Sequence, residues 1–139
     1  MATFRPRGHP QVFFISLPIF QAVLLFISLP DQEYVPNMPI YHIVLFKLKP
    51  GVTPGQISEF VTVAKGMVGK VPGLRKLEAN TPHISTAHRG QGFNMGIVAI
   101  LDKGEDIKVY AEHPAHLEVQ DIRMKICDDA LAYDLEYSE

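Results

Sequence analysis

The run Tyr110-Ala111-Glu112-His113-Pro114-Ala115-His116 sets a phenol and two imidazoles around a proline, the densest proton-transfer chemistry in the chain. Imidazole titrates near neutral pH, so a His/Tyr pair held together is a candidate for general acid–base work. Proline belongs in a first helical turn, where its missing N–H has no partner to lose. The run therefore reads as one helix ending and a second beginning at Pro114. Residue chemistry leaves two readings open. In one, His116 is a base and Tyr110 a hydrogen-bond donor facing a common space. In the other, His113 caps the helix and His116 sits on its solvated first turn.

Other chemistries find less support. His113 and His116 stand three apart with Glu118 and Asp121 nearby, but no second His/Cys pair completes a ligand set, so a metal site is the weaker alternative. His83 and His88 fall in a loop and read as solvated. No glycine-rich phosphate loop follows a strand, and no Gly-x-Ser-x-Gly elbow occurs. Cys127 has aspartates beside it rather than the cations that make a thiolate, and reads as core.

The chain has 139 residues, with 13 Lys+Arg against 15 Asp+Glu and a formal net charge of -2. The basic residues are scattered, which argues against nucleic acid as a partner. A single cysteine excludes an internal disulfide framework and leans toward a reducing compartment, so a cytoplasmic location is expected. Residues 12–30 are almost wholly apolar and follow Arg5, Arg7 and His9, the layout of a signal or a membrane anchor. Pro18 and Gln21 interrupt the stretch, and no small-x-small cleavage pattern follows it. An unstructured or extraneous extension, a membrane anchor and a cleaved signal all stay open. Residues 1–37 are expected to lie outside the core, and residues 38–139 to form the domain.

From Met38 onward the pattern is regular. Residues 40–49 alternate, with His42, Val44, Phe46 and Leu48 on one strand face and Ile43, Leu45 and Lys47 on the other. Thr53-Pro54-Gly55-Gln56 is a capping-box helix start, followed by the stripe Ile57, Phe60, Val61, Ala64 and Val68. Residues 74–80 read as a strand, 81–92 as a long loop, and 93–101 as a buried strand with a bulge or close approach at Gly96. A short helix is expected over 104–110. A longer one over 114–127 carries Ala115, Val119, Ile122 and Ile126, with a second buried contact at Leu117 and Met124. Residues 130–137 close the domain as a strand. The order β-α-β-β-α-β is the ferredoxin-like α+β arrangement, with helices on one face of an antiparallel sheet. The apolar residues on its other face call for a cover, and a second copy of the chain is the simplest one.

Tyr41-His42-Ile43-Val44-Leu45-Phe46-Lys47, the Val71-Pro72-Gly73 turn, Gly92-Phe93-Asn94-Met95-Gly96 and His113-Pro114-Ala115-His116 after a tyrosine occur in this order. Together they resemble the stress-responsive A/B barrel (Dabb) family over about residues 40–137. The His-Pro-Ala-His block is the most specific part, and Cys127-Asp128-Asp129-Ala130-Leu131-Ala132-Tyr133-Asp134 looks like fungal members. The resemblance implies a ferredoxin-like protomer that pairs into a dimeric α/β barrel. It also implies, for enzymatic members, a cyclase that folds a linear polyketide acid by intramolecular aldol condensation without metal or cofactor. In that reading His116 takes the place of the catalytic histidine, Tyr110 that of its tyrosine partner, and His42 that of a pocket histidine. Met95 stands where a further pocket histidine would be, which points to a different substrate. Membership alone does not make an enzyme. The expectation is a homodimeric barrel binding a small apolar or polyketide-like ligand beside His116 and Tyr110, with His42, Phe46, Phe93, Met95 and His113 around it. A cofactor-independent cyclase is the alternative, and membrane contact is expected only if residues 12–30 act as an anchor.

Overall fold

The computed structural model describes residues 37–138. The expectations for residues 12–30, and for the extension up to residue 36, lie outside the described residues. Among the described residues no helix is long and apolar enough to cross a membrane.

The elements run β1 (Ile40–Leu48), α1 (Pro54–Lys65), β2 (Leu74–Asn80), β3 (Met95–Leu101), α2 (Asp106–Glu112), α3 (Pro114–Ile126) and β4 (Cys127–Glu136). The strands form one sheet in the order β2-β3-β1-β4, with every pairing antiparallel. This is the ferredoxin-like α+β fold. In the register, Ile40, His42, Val44 and Phe46 stand opposite Leu101, Ala99, Ile97 and Met95. These alternate residues share one sheet face, and the helices cover it. Phe60 and Ala64 of α1 and Val119 and Ile126 of α3 pack there.

α1 begins as its sequence dictates. Thr53 accepts from Gln56 N–H, while the Gln56 side chain accepts from Thr53 N–H at 2.9 Å, closing the capping box. The helix stops sooner than its stripe suggests, because Gly66 caps it by donating to Ala64 and Thr62 carbonyls. Met67 then takes the fully buried place and Val68 is left partly exposed. The alternative left open at Gly96 is decided, and one further expectation is corrected. No register shift occurs at Gly96; the irregularities fall at Leu74/Lys76 and Lys47/Leu48. Gly96 serves close approach instead, since a Cβ there would lie 3.3 Å from Leu45 Cδ2. Leu117 and Met124 are 51% and 64% exposed, so they make no second buried contact.

Gly73 does need its missing side chain. Its φ is +79°, and a Cβ there would strike the buried Asp106 carboxylate at the start of α2. Among the described residues no helix lies over the other sheet face. Leu45, Val98, Leu131, Tyr133 and Leu135 all lie exposed on it.

Candidate functional site

Pro114 breaks the helical run, because the residue before a proline is driven out of the α region. His113 accordingly sits at φ -70°, ψ 137°, ending α2 and capping α3. The break folds the last turn of α2 toward the first turn of α3. Tyr110 and His116 thereby meet with ring centroids 4.5 Å apart. From the sheet below, His42 approaches Tyr110 edge-on at 5.1 Å.

Each ring has a defined orientation. His116 Nδ1 lies 3.0 Å from the Ala111 carbonyl, which can only accept, so Nδ1 carries the proton. A neutral His116 then has its lone pair on Nε2, uncommitted among the described residues. Burial holds the His116 pKa below the usual histidine value; the Ala111 bond opposes that shift and nearby His42 adds to it. At neutral pH the ring is therefore an unprotonated base. Tyr110 is 3% exposed, and burial pushes its pKa up to about 12, so it stays a hydroxyl donor. His42 Nδ1–H donates to Asp134 Oδ1 at 2.6 Å. The cross-strand pairing His42↔Asp134 supplies that carboxylate and fixes the imidazole.

These three side chains open onto one cavity of about 260 Å³ between the sheet and the helices α2 and α3. Val44, Phe46, Phe60, Ile97, Ile107 and Val119 make its apolar walls. Ala111, Ala130 and Ala132 leave it room, and Gln120 and Arg123 stand on its α3 side. The arrangement is a mostly apolar chamber with a few convergent polar groups, the usual make-up of a small-molecule site.

Of the residues singled out from sequence, His42, Phe46, Tyr110 and His116 line this chamber. Phe93, Met95 and His113 do not. Met95 is buried opposite Phe46, away from this chamber. Phe93 precedes β3 and carries the Lys47 ammonium 4.7 Å over its ring. Both border a separate hollow of about 170 Å³ with Leu45 and Pro82. The His113 ring is taken up as a cap, Nδ1 accepting from Ala115 N–H at 3.1 Å. Among the described residues no group of three His, Cys, Asp or Glu side chains could hold a metal ion.

Sequence reasoning missed Asp134, Gln120, Arg123, Ile107, Ala130 and Ala132. A signal was present for most. His116, Val119, Gln120 and Arg123 follow helical spacing, and Ala130, Ala132 and Asp134 alternate along a strand.

Residues 40–137 match the family model described as the Stress responsive A/B Barrel Domain. The stress-response A/B barrel domain-containing protein HS1 of Arabidopsis thaliana is 25% identical over 96 residues, covering 69% of this chain and 87% of that protein. Olivetolic acid cyclase of Cannabis sativa is 22% identical over 97 residues, covering 70% of this chain and 95% of the cyclase. Among solved structures, a dimeric ferredoxin-like protein of unknown function from Thermobifida fusca superposes with a TM-score of 0.64 at 25% identity, covering 76% of this chain and 96% of that one. Hydroxynitrile lyase from Passiflora edulis gives 0.65 at 17% identity, covering 75% and 97%, a likeness of fold.

Proposed function

Because the chain belongs to the stress-responsive A/B barrel domain family, we propose that it is a homodimeric α/β barrel protein that binds a small molecule in the chamber beside His116 and Tyr110. The observation that carries this reading is the convergence of His42, Tyr110 and His116 on a single apolar cavity of about 260 Å³. An apolar cavity of roughly 150 Å³ already admits benzene, so this one has room for a six-membered ring with substituents or a short bent chain. The dimer is supported by the sheet face that no helix among the described residues covers, where Leu45, Leu131 and Val98 would otherwise meet water. Structural neighbours from Thermobifida fusca and Bacteroides fragilis are described as dimeric. Titration with toluene, followed by amide chemical shifts, tests the chamber. Saturable shifts at Ala111, His116 and Val119 are expected, and their disappearance in Ala132→Trp, which fills the cavity from β4. Unsaturable or scattered shifts in the unmodified chain would contradict the reading.

The second reading is a cyclase or related carbon–carbon lyase. It is favoured by the protonation pattern: a neutral His116 with its Nε2 lone pair uncommitted, beside a Tyr110 hydroxyl held protonated by burial. In an aldol cyclisation, His116 Nε2 takes the proton α to a carbonyl, and the Tyr110 hydroxyl hydrogen-bonds the resulting enolate oxygen. The enolate carbon then attacks a second carbonyl of the bent chain, and the alkoxide so formed recovers the proton from the His116 imidazolium. Similarity to olivetolic acid cyclase supports this chemistry at the level of class. On a linear poly-β-keto acid, His116→Ala should lower turnover by about 10²- to 10⁴-fold, and Tyr110→Phe should lower kcat more than it raises KM. Equal turnover by His116→Ala and the unmodified chain would remove the enzymatic reading and leave binding alone.

A further inference from the structure

Fourteen of the described residues line the chamber, and none of these is Asp or Glu. Arg123 is among them, half-buried on α3. Its Nε–H donates to Gln120 Oε1 at 3.0 Å, a neutral acceptor that orients the guanidinium without cancelling its charge. No carboxylate among the described residues pairs with Arg123. The plain account is a cation placed to complement the C-terminal end of a helix. That end is already served, since Lys49 Nζ donates to the Met124 carbonyl at 2.9 Å and Lys125 stands in the last turn. Neither of those lysines borders the chamber. A partly dehydrated guanidinium whose two Nη groups are uncommitted among the described residues is a costly thing to hold beside an apolar cavity, and it matches a carboxylate in a planar, two-point fashion.

We infer that Arg123, positioned by Gln120, is the anchor for the carboxylate of the ligand, and that the chamber therefore selects acids over their neutral counterparts. The inference rests on the ligand-binding reading above and names its substrate class. His116 and Arg123 are seven residues apart on one helix, about 10 Å along its axis. Between them Val119 presents an apolar wall. The ligand that fits is a monocarboxylic acid with an apolar body and a carbonyl or hydroxyl at the far end, its carboxylate on Arg123 and its other oxygen at Tyr110 and His116.

Hexanoate and hexanamide are close in shape and differ in charge at about pH 7.5, where a carboxylic acid is ionised. Binding of each is measured by NMR titration on the full chain, following the Arg123 Nε–H signal and the backbone amides. Hexanoate should bind at least about tenfold more tightly than hexanamide, as hydrogen bonds to charged groups ordinarily require, and should shift the Arg123 Nε–H resonance. Arg123→Met, which keeps the aliphatic stem, should erase the preference, and Arg123→Lys should retain part of it. The comparison of acid and amide on the unmodified chain requires no variant, so an unstable substitution does not spoil the test. Equal affinity for the two compounds overturns the Arg123 assignment and leaves the chamber reading standing. Binding of neither compound overturns both.

Discussion

At His113 the chain turns from one helix into the next, and the imidazole is engaged by the backbone it has just released: Nδ1 accepts the Ala115 N–H that would otherwise lack a partner. Three residues on, His116 makes its hydrogen bond backward to Ala111 and lines the chamber. Alanine at the two positions should therefore act differently. His113→Ala should cost about 1 kcal/mol of unfolding free energy in urea and leave ligand affinity unchanged, whereas His116→Ala should alter binding or turnover. Equal losses of stability with unchanged binding would make both residues structural. The charge state of His116 gives an independent check. Burial lowers its folded pKa beneath the ordinary value near 6.5, so between those two values the unfolded chain binds the extra proton. Stability contributed by the neutral ring is complete above the ordinary value and is lost as pH falls through the folded one. Unfolding free energies measured at about pH 7.5 and 5.5 should fall more steeply for the unmodified chain than for His116→Gln. Identical slopes would show that the ring is not held neutral.

At the scale of elements, β1 and the start of α1 follow their sequence closely, because both are fixed by local chemistry. Alternation sets the strand faces, and Thr53 with Gln56 closes the capping box. The break before Pro114 is legible for the same reason. What was not legible depends on packing across the fold. Val68 has the spacing of a core residue, but Gly66 ends α1 first and Met67 is buried in its place. Cys127 has no strand signal of its own and is drawn into β4 by pairing with Leu48. Arg123 and Asp134 look like ordinary surface charges in one dimension; only the placement of α3 over the sheet, and of β4 beside β1, brings one to the chamber and the other to His42. The turn before β2 carries a testable constraint. Gly73→Ala forces a side chain into positive φ and onto Asp106, which should cost about 2 kcal/mol or more. Chemical denaturation would show it, and a loss below experimental error would mean that α2 shifts freely to accommodate the methyl group.

For the whole molecule, the two faces of the sheet divide the tasks. One face builds the chamber with the helices, and the other presents an apolar surface on which Tyr133 is 58% exposed. Leu45 and Leu131 are paired neighbours on it, so Leu131→Asp should place a charge where two copies meet. Sedimentation should find the full chain dimeric and this variant monomeric at micromolar concentration; a monomeric parent would remove the dimer from the account. If the chamber is a ligand site, it is occupied in its native setting. Native mass spectrometry of the chain isolated from its own cell, set against Ala132→Trp prepared in the same way, reads that occupancy. A dimer carrying a small acidic adduct is expected, and the same dimer without the adduct in Ala132→Trp. An adduct-free native dimer, or an adduct that survives the filled cavity, would contradict it.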